Sequence, residues 1–338
     1  MNKRELFQRH PANPILTADD WPYPANVVFN PAAAQLGDQT ILLARVEDLR
    51  GISHLTVARS ANGIDNWTVA AEPILAPEAG IESEMWGFED ARSVWVEELD
   101  RFVITCTAYG PAGPAVYLAT TRDLASLERR GIAFAPEDKN AAILPERVAG
   151  QWILFHRPTR GLGLTHPGIA LSRSTDLIHW SPPETVMEPR QGAWWDSLRI
   201  GIGPPLIKTP HGWLLIYHGV KETTAGALYR VGAALLDLEE PTCVLARAPQ
   251  WILGPREPYE RAGDVANAVF PCGLIHDSAT GQLRLYYGAA DTSICLATAD
   301  LGELMETLLE EQNSPDPLRS SHRMSCGVGG SRAGRLRG

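Results

Sequence analysis

A carboxylate, a basic set and a mixed polar set of side chains stand at matching places in a strand-rich sequence, a combination suited to chemistry on a polar, partly anionic substrate. The carboxylate is Asp90, in the run Gly87 to Arg92 (GFEDAR). Adjacent side chains on a strand point to opposite faces, so only one of Glu89 and Asp90 is expected to enter a shared cavity. Register with the apolar Val94 and Val96 assigns Asp90 inward and leaves Glu89 and Arg92 to brace a neighbouring repeat. The basic set comprises Lys139 beside Asn140, Arg157 after His156 (LFHRP), Arg199 (DSLRIGIGPP) and His218 (LLIYHG). Singly, each reads as a surface charge or a satisfied histidine. Gathered in one cavity they repel one another unless an anion offsets them, which makes the set a candidate phosphate or carboxylate site. The mixed set is Asn30 (FNP), Arg45 followed by Glu47 and Asp48 (ARVED), and Asp291 (YGAADTS). Asn, Arg and Asp facing one cavity suit the vicinal hydroxyls of a sugar, and ten tryptophans offer stacking surfaces. Glu47 and Asp48 read more simply as ties within a turn.

These residues share a place because the segments that carry them repeat. Five times a strand with a polar start, a turn, an apolar strand and an alternating strand follow one another, beginning near Asn30, Asp90, Asn140, Gly203 and Asn267. A period of roughly 50–65 residues built from short strands predicts an all-β fold, a five-bladed β-propeller, whose innermost strands begin around one central pocket. The segment before Asn30 is broken by prolines and is placed to close the last blade. Ser60 to Trp67 and Ser172 to Trp180 resemble the Asp-box turns of sialidase-like propellers, which sit on the rim and serve structure. A short C-terminal helix is predicted over Asp300 to Gln312, with Leu301, Leu304, Met305, Leu308 and Leu309 on one face. The propeller is expected to form one catalytic domain over residues 1–312, and the Ser/Gly/Arg-rich stretch 313–338 is expected to be disordered.

Composition narrows the partners. With 338 residues, 44% of them hydrophobic, the chain can bury one enzyme-sized core. A net charge of −10 argues against nucleic acid or an anionic membrane as partner, so a basic cluster is local and fits a small anion. The five cysteines show no paired spacing and read as free thiols in a reducing compartment, and the N-terminus lacks an apolar stretch of signal length. The expected location is the cytoplasm, and a homo-oligomeric state is compatible with the sequence. No metal-ligand spacing, phosphate loop or nucleophile elbow is present, so no metal and no cofactor is expected.

The runs FNPAAA, LLARVED, GFEDAR, DKNAAILPE, LFHRP, IGIGPPLIKTPHGWLLIYHGV, NAVFPCG and YGAADT together resemble glycoside hydrolase family 130, the β-mannoside phosphorylases and related β-mannosidases, from about Arg9 to Glu311. The resemblance implies a five-bladed propeller. It implies that Asp90 is the sole catalytic acid, relaying its proton through the mannosyl 3-hydroxyl. Lys139, Asn140, Arg157, Arg199 and His218 fall where phosphorylase members hold inorganic phosphate, the co-substrate. Asn30, Arg45 and Asp291 fall at mannosyl-binding positions, with Tyr229 on the acceptor side. Some members have Arg at the place of Lys139 and Lys at that of Arg199, and many have Pro at that of Ala91. The charge is kept, while bidentate geometry is exchanged between the two sites.

An inverting glycosidase needs an acid and a base, whereas phosphate arrives as an anion and needs no base to activate it. One inward acid beside a basic set therefore favours phosphorolysis, and with what the resemblance implies the expected reaction is reversible phosphorolysis of a β-1,4- or β-1,2-mannoside to α-mannose 1-phosphate with inversion. The alternatives are an inverting β-mannosidase, a non-catalytic sugar-binding propeller, and a five-bladed furanosidase or fructosidase. The last would need three separated carboxylates at blade starts, where only Asp90 and Asp291 are well placed.

Overall fold

The computed structural model describes residues 5–159 and 166–312, and the predicted disordered stretch 313–338 lies outside them. Each of the five sequence copies folds as an antiparallel meander of three strands. The first copy gives Val27–Leu36, Gln39–Glu47 and Ser53–Ser60, and the second Gly87–Val96, Arg101–Gly110 and Gly113–Thr121. The third gives Asp138–Ile143, Trp152–Pro158 and Ile169–Ser174, and the fourth Arg199–Ile202, Gly212–Thr223 and Gly226–Leu236. The fifth gives Val269–Asp277, Gln282–Ala289 and Ser293–Asp300. A fourth, outer strand follows each of the first four meanders, as in Glu184–Met187 against Ile169–Ser174. In the fifth group that outer strand is Gln8–Arg9, pairing Gln8 with Thr298 and Arg9 with Ala297, so the lead-in does join the last group. The first two groups are linked into one sheet by a single parallel pair, Ser53 with Gly87.

Both faces of these sheets are covered, which is why the strands read as near-continuous apolar runs. On Gln39–Glu47, Ile41 and Leu43 pack toward the second group, while Leu42, Ala44 and Val46 pack toward the fifth. Similar clusters join the second group to the third, the third to the fourth and the fourth to the fifth. Apolar contact thus runs from each group to the next and from the fifth back to the first. The helix Leu301–Gln312 buries Leu304, Met305 and Leu308 on the cluster between the fourth and fifth groups, as its spacing predicts.

The turns resembling Asp boxes are structural. Oδ1 of Asn62 accepts from the amides of Ile64 and Asp65, and Oδ1 of Asp176 from those of Ile178 and His179. Asp123 and Asp237 do the same after the third strands of the second and fourth groups, two copies that the residue types alone did not reveal. Cys106, Cys272 and Cys295 are buried free thiols, as expected. Cys243 is instead disulfide-bonded, which corrects the expectation for that position. Among the described residues no helix is long and apolar enough to cross a membrane.

Candidate active site

Three first strands carry the same local irregularity, and it sets the site. Register slips between Phe29 and Ala32, between Glu89 and Arg92, and between Lys139 and Ala142. Inside each slip sits one residue with left-handed backbone, Asn30 at φ 45°, Asp90 at φ 51° and Asn140 at φ 56°. Such bulges insert an extra residue and re-aim a side chain, and Asn and Asp tolerate the positive φ better than other non-glycine residues. All three side chains are buried.

The bulge overturns the alternation argument for the acidic pair. Arg45 reaches both carboxylates, with one guanidinium nitrogen 3.2 Å from Oδ1 of Asp90 and the other 3.1 Å from Oε1 of Glu89. Glu89 therefore joins the site, and through Arg45 and Lys139 it also braces the first and third groups, as expected. Asn30 donates its amide to the same Asp90 oxygen at 2.9 Å, and its own side-chain oxygen lies where a Cβ on Gly288 would be, so only glycine fits there. Burial by itself would push Asp90 up, but Arg45, Arg92 and Lys139, with the Asn30 amide, outweigh it and hold the carboxyl below its usual range. The sugar-set residues Asn30 and Arg45 thus stand directly on the acid.

Arg92 is a residue the sequence undervalued. It is fully buried, and its guanidinium donates to the carbonyls of Asp90, Ile202 and Gly203. It ties the first strand of the second group to that of the fourth and supplies a fixed positive charge under Asp90.

The basic set gathers around the same centre. Arg157 lies 3.4 Å from Nε2 of His218, and the positive charge of Arg199 acts on both. Gly201 makes room for this packing, since a Cβ there would meet the His218 ring at 2.5 Å and the Asn140 amide at 2.8 Å. Phe270 supports the other side of the His218 ring at 4.6 Å. Lys139, paired in register with Arg157, has its ammonium 3.7 Å from Glu89 and so stands between the two sets. Tyr229, expected on the acceptor side, stands with the basic set, its hydroxyl accepting from Arg199 and its ring 6.5 Å from His218.

The electrostatics of this cluster favour an anion. Burial and then the neighbouring Arg199 bring Arg157 down to about 10. Burial and the surrounding cations hold His218 well below its ordinary value, so it is a neutral imidazole at pH 7 and not one of the charges the sequence reading counted. Among the described residues, Nε of Arg157 and Nδ1 of His218 are buried donors without a partner, because the acceptor of the Arg157 bond is Nε2. His156, one residue from Arg157, faces the other way. It is held by Asp138 at 2.6 Å and Ser172 at 3.0 Å and stacks on Phe134, a structural histidine. Glu47 and Asp48 also serve locally, Glu47 accepting from Asn26 and Asp48 from the backbone and side chain of Arg50. Among the described residues no three His, Cys, Asp or Glu side chains gather as a metal site requires.

Asp291 completes the acidic side. Burial and the charge of Asp90 push its carboxyl up to about 7, against the opposing pull of Arg45. A carboxyl with its folded value raised above its unfolded one stabilises fully below about pH 4 and loses that contribution as pH rises through about 7. Asp291→Asn removes this loss. The melting temperature of the variant relative to wild type is expected to improve by a few degrees, on the order of 2–4 °C per kcal/mol, between pH 5 and pH 8. An equal difference at every pH would mean Asp291 does not titrate in that window.

The family model described as beta-1,4-mannooligosaccharide phosphorylase matches residues 8–310. The chain is 33% identical over 311 residues to a beta-1,4-mannooligosaccharide phosphorylase of Ruminococcus albus, covering 90% of this chain and 91% of that one. It is 37% identical over 261 residues to a beta-1,2-mannobiose phosphorylase of Listeria innocua, covering 77% and 70%. The structure of a beta-1,2-mannobiose phosphorylase from Listeria innocua with beta-1,2-mannobiose superposes with a TM-score of 0.81 at 29% identity, over 91% of this chain and 99% of that one.

Proposed function

The chain belongs to glycoside hydrolase family 130, and we propose that it is an inverting β-mannoside phosphorylase, cleaving a β-1,4- or β-1,2-linked mannoside with inorganic phosphate to α-mannose 1-phosphate, reversibly. The observation that carries this reading is one buried acid, Asp90, held by Asn30 and Arg45 beside a buried basic cluster whose donors at Arg157 and His218 await an acceptor. Five groups of four or five strands, with apolar contact from each to the next and from the fifth to the first, support reading them as the blades of a propeller forming one catalytic domain.

In this mechanism Asn30, Arg45 and Asp291 seat the mannosyl unit. Lys139, Asn140, Arg157, Arg199 and neutral His218 seat phosphate below its anomeric carbon, with Tyr229 holding Arg199 in place. His218 donates through Nδ1, so its neutrality costs the anion site nothing in hydrogen bonding. Asp90 supplies the proton to the departing oxygen through the mannosyl 3-hydroxyl, and the phosphate's own charge supplies the nucleophile. No cofactor takes part, and the enzyme works in the cytoplasm on small-molecule partners.

Two subsites predict two kinetic signatures. Arg157→Ala is expected to raise the KM for phosphate about ten- to a hundredfold, the cost of one charge-assisted hydrogen bond, while the KM for mannoside stays within about twofold. Because Arg157 is a buried cation crowded by Arg199, its removal should leave the melting temperature unchanged or higher. Asn30→Ala is expected to show the reverse bias. Equal weakening of phosphate and mannoside by both variants would merge the two subsites.

A further inference from the structure

A cavity of about 530 Å³ lies on the far face of the hairpin that carries His218 and Tyr229. Side chains on the Gly212–Thr223 and Gly226–Leu236 strands alternate, so His218, Val220 and Tyr229 share one face while Lys221, Thr223, Leu228 and Arg230 line the other. The cavity is built around tryptophan. Trp194 is 41% exposed and Trp251 36%, in a protein whose large apolar side chains are mostly buried.

Both indoles are held in place. The guanidinium of Arg190 lies 4.8 Å from the Trp194 ring, and that of Arg230 lies 4.2 Å from the Trp251 ring. Arg190 is itself buried, bound to Asp196 at 2.8 Å and to the carbonyl of Ala248 at 2.8 Å. Trp251 stands edge-on to Trp195 at 6.4 Å and donates its indole N–H to Glu5 at 3.3 Å. Trp195 in turn stacks on Tyr217 and donates to the carbonyl of Pro249. Two aromatic surfaces are thus open to water yet pre-ordered, so a ligand stacking on them orders little of the protein.

The polar groups beside them select the ligand. Lys221, Thr223, Arg230 and Gln250 line the same space, with Lys221 already donating to the Ala193 carbonyl and Thr223 to that of Gly226, and among the described residues no carboxylate lines it, so the lining pairs aromatic faces with hydrogen-bonding groups. A pyranose matches both, with its C–H face on an indole and its hydroxyls on the surrounding polar groups. The volume lies in the range of small-molecule sites, in a depression open to solvent. Catalysis as described above uses none of these residues.

We propose that this tryptophan-lined cavity is a secondary binding site for the mannosyl chain of an oligosaccharide, outside the catalytic cavity and on the reverse of the hairpin that shapes it. The ligand class rests on the β-mannoside reading above. The test is calorimetric titration of β-1,4-mannohexaose, and of a β-1,2-mannan oligosaccharide of the same length, into wild type, Trp194→Ala, Trp251→Ala and the double variant, without phosphate. Phosphorolysis of mannobiose and the sedimentation state are measured on the same proteins. The expected result is a loss of about tenfold in affinity for one component of the longer-chain isotherm in each single variant, with mannobiose turnover within about twofold of wild type. Undiminished oligosaccharide binding in the double variant overturns the proposal, as does a change of oligomeric state, which would make this surface a contact between copies of the chain. Tryptophan-dependent binding in a protein that turns over no mannoside would overturn the catalytic reading alone. Phosphate-dependent turnover with tryptophan-independent binding would overturn this site alone.

Discussion

Asp90→Asn is expected to lower phosphorolysis by at least about a hundredfold while leaving the protein folded, since general acid catalysis is typically worth about 10²–10⁴ in rate. Asparagine keeps the shape and can still accept from the Asn30 amide, but it has no proton to give. The setting of Asp90 adds a second expectation. Arg45, Arg92 and Lys139 hold the carboxyl ionised in the free protein, whereas an acid must carry its proton when the bond breaks. Phosphate bound at the proposed site by Lys139 would offset that positive field and move the Asp90 pKa upward in the complex. The basic limb of the kcat profile should therefore lie at higher pH than that of kcat/KM, because the first reports the complex and the second the free enzyme. Coincident limbs would mean that phosphate does not reach the field around Asp90. Near-wild-type turnover in the Asn variant would remove Asp90 from the mechanism.

The fold was legible because its local signals agree. Turn residues close each hairpin, and strands buried on both faces read as apolar runs, so five copies stand out in one sequence. The positions of Asn30, Asp90 and Asn140 were legible for the same reason, as polar residues early in each first strand. Asp90 does face Asn30 and Arg45, as expected, but not for the reason that alternation gives. Alternation assumes a regular strand, and each of the three lies in a bulge with positive φ. A signal was present in the small residue after each of them, Pro31, Ala91 and Ala141, but it is weak without a backbone. The same assumption kept Glu89 out of the site, although Glu89 and Arg92 do brace other groups as expected. His156 and Arg157 could not be told apart by type, since which of two neighbours faces the centre depends on pairing, and the Asp138 carboxylate claims His156. The charge of His218 was overcounted because burial beside Arg157 depends on packing that only the assembled groups create.

Turnover of a β-mannobiose is expected to depend steeply on phosphate and to become negligible without it, releasing mannose 1-phosphate in the α configuration. Water needs a base aimed at the anomeric carbon, and the two other carboxyls near Asp90 are poorly suited to that work. Glu89 has both oxygens engaged, Oε1 by Arg45 at 3.1 Å and Oε2 by Lys139 at 3.7 Å. Asp291, raised to about 7, is the stronger candidate base, but it lies among the groups proposed to seat the mannosyl unit. Phosphate needs no base, arrives charged, and meets Arg157, Arg199, Lys139 and the Nδ1 donor of His218. The measurement is a comparison of β-1,4- and β-1,2-mannobiose with and without phosphate, scoring mannose 1-phosphate against free mannose, which also fixes the linkage. Sulfate, alike in shape and charge, should inhibit competitively with phosphate, and mannose 1-phosphate with an acceptor sugar should run the reaction backward. Robust release of free mannose in phosphate-free buffer, abolished by Asp291→Asn, would make Asp291 the base of a hydrolase. The basic cluster around Arg157 would then serve an anion other than the nucleophile, and the split in KM between Arg157→Ala and Asn30→Ala would vanish with it.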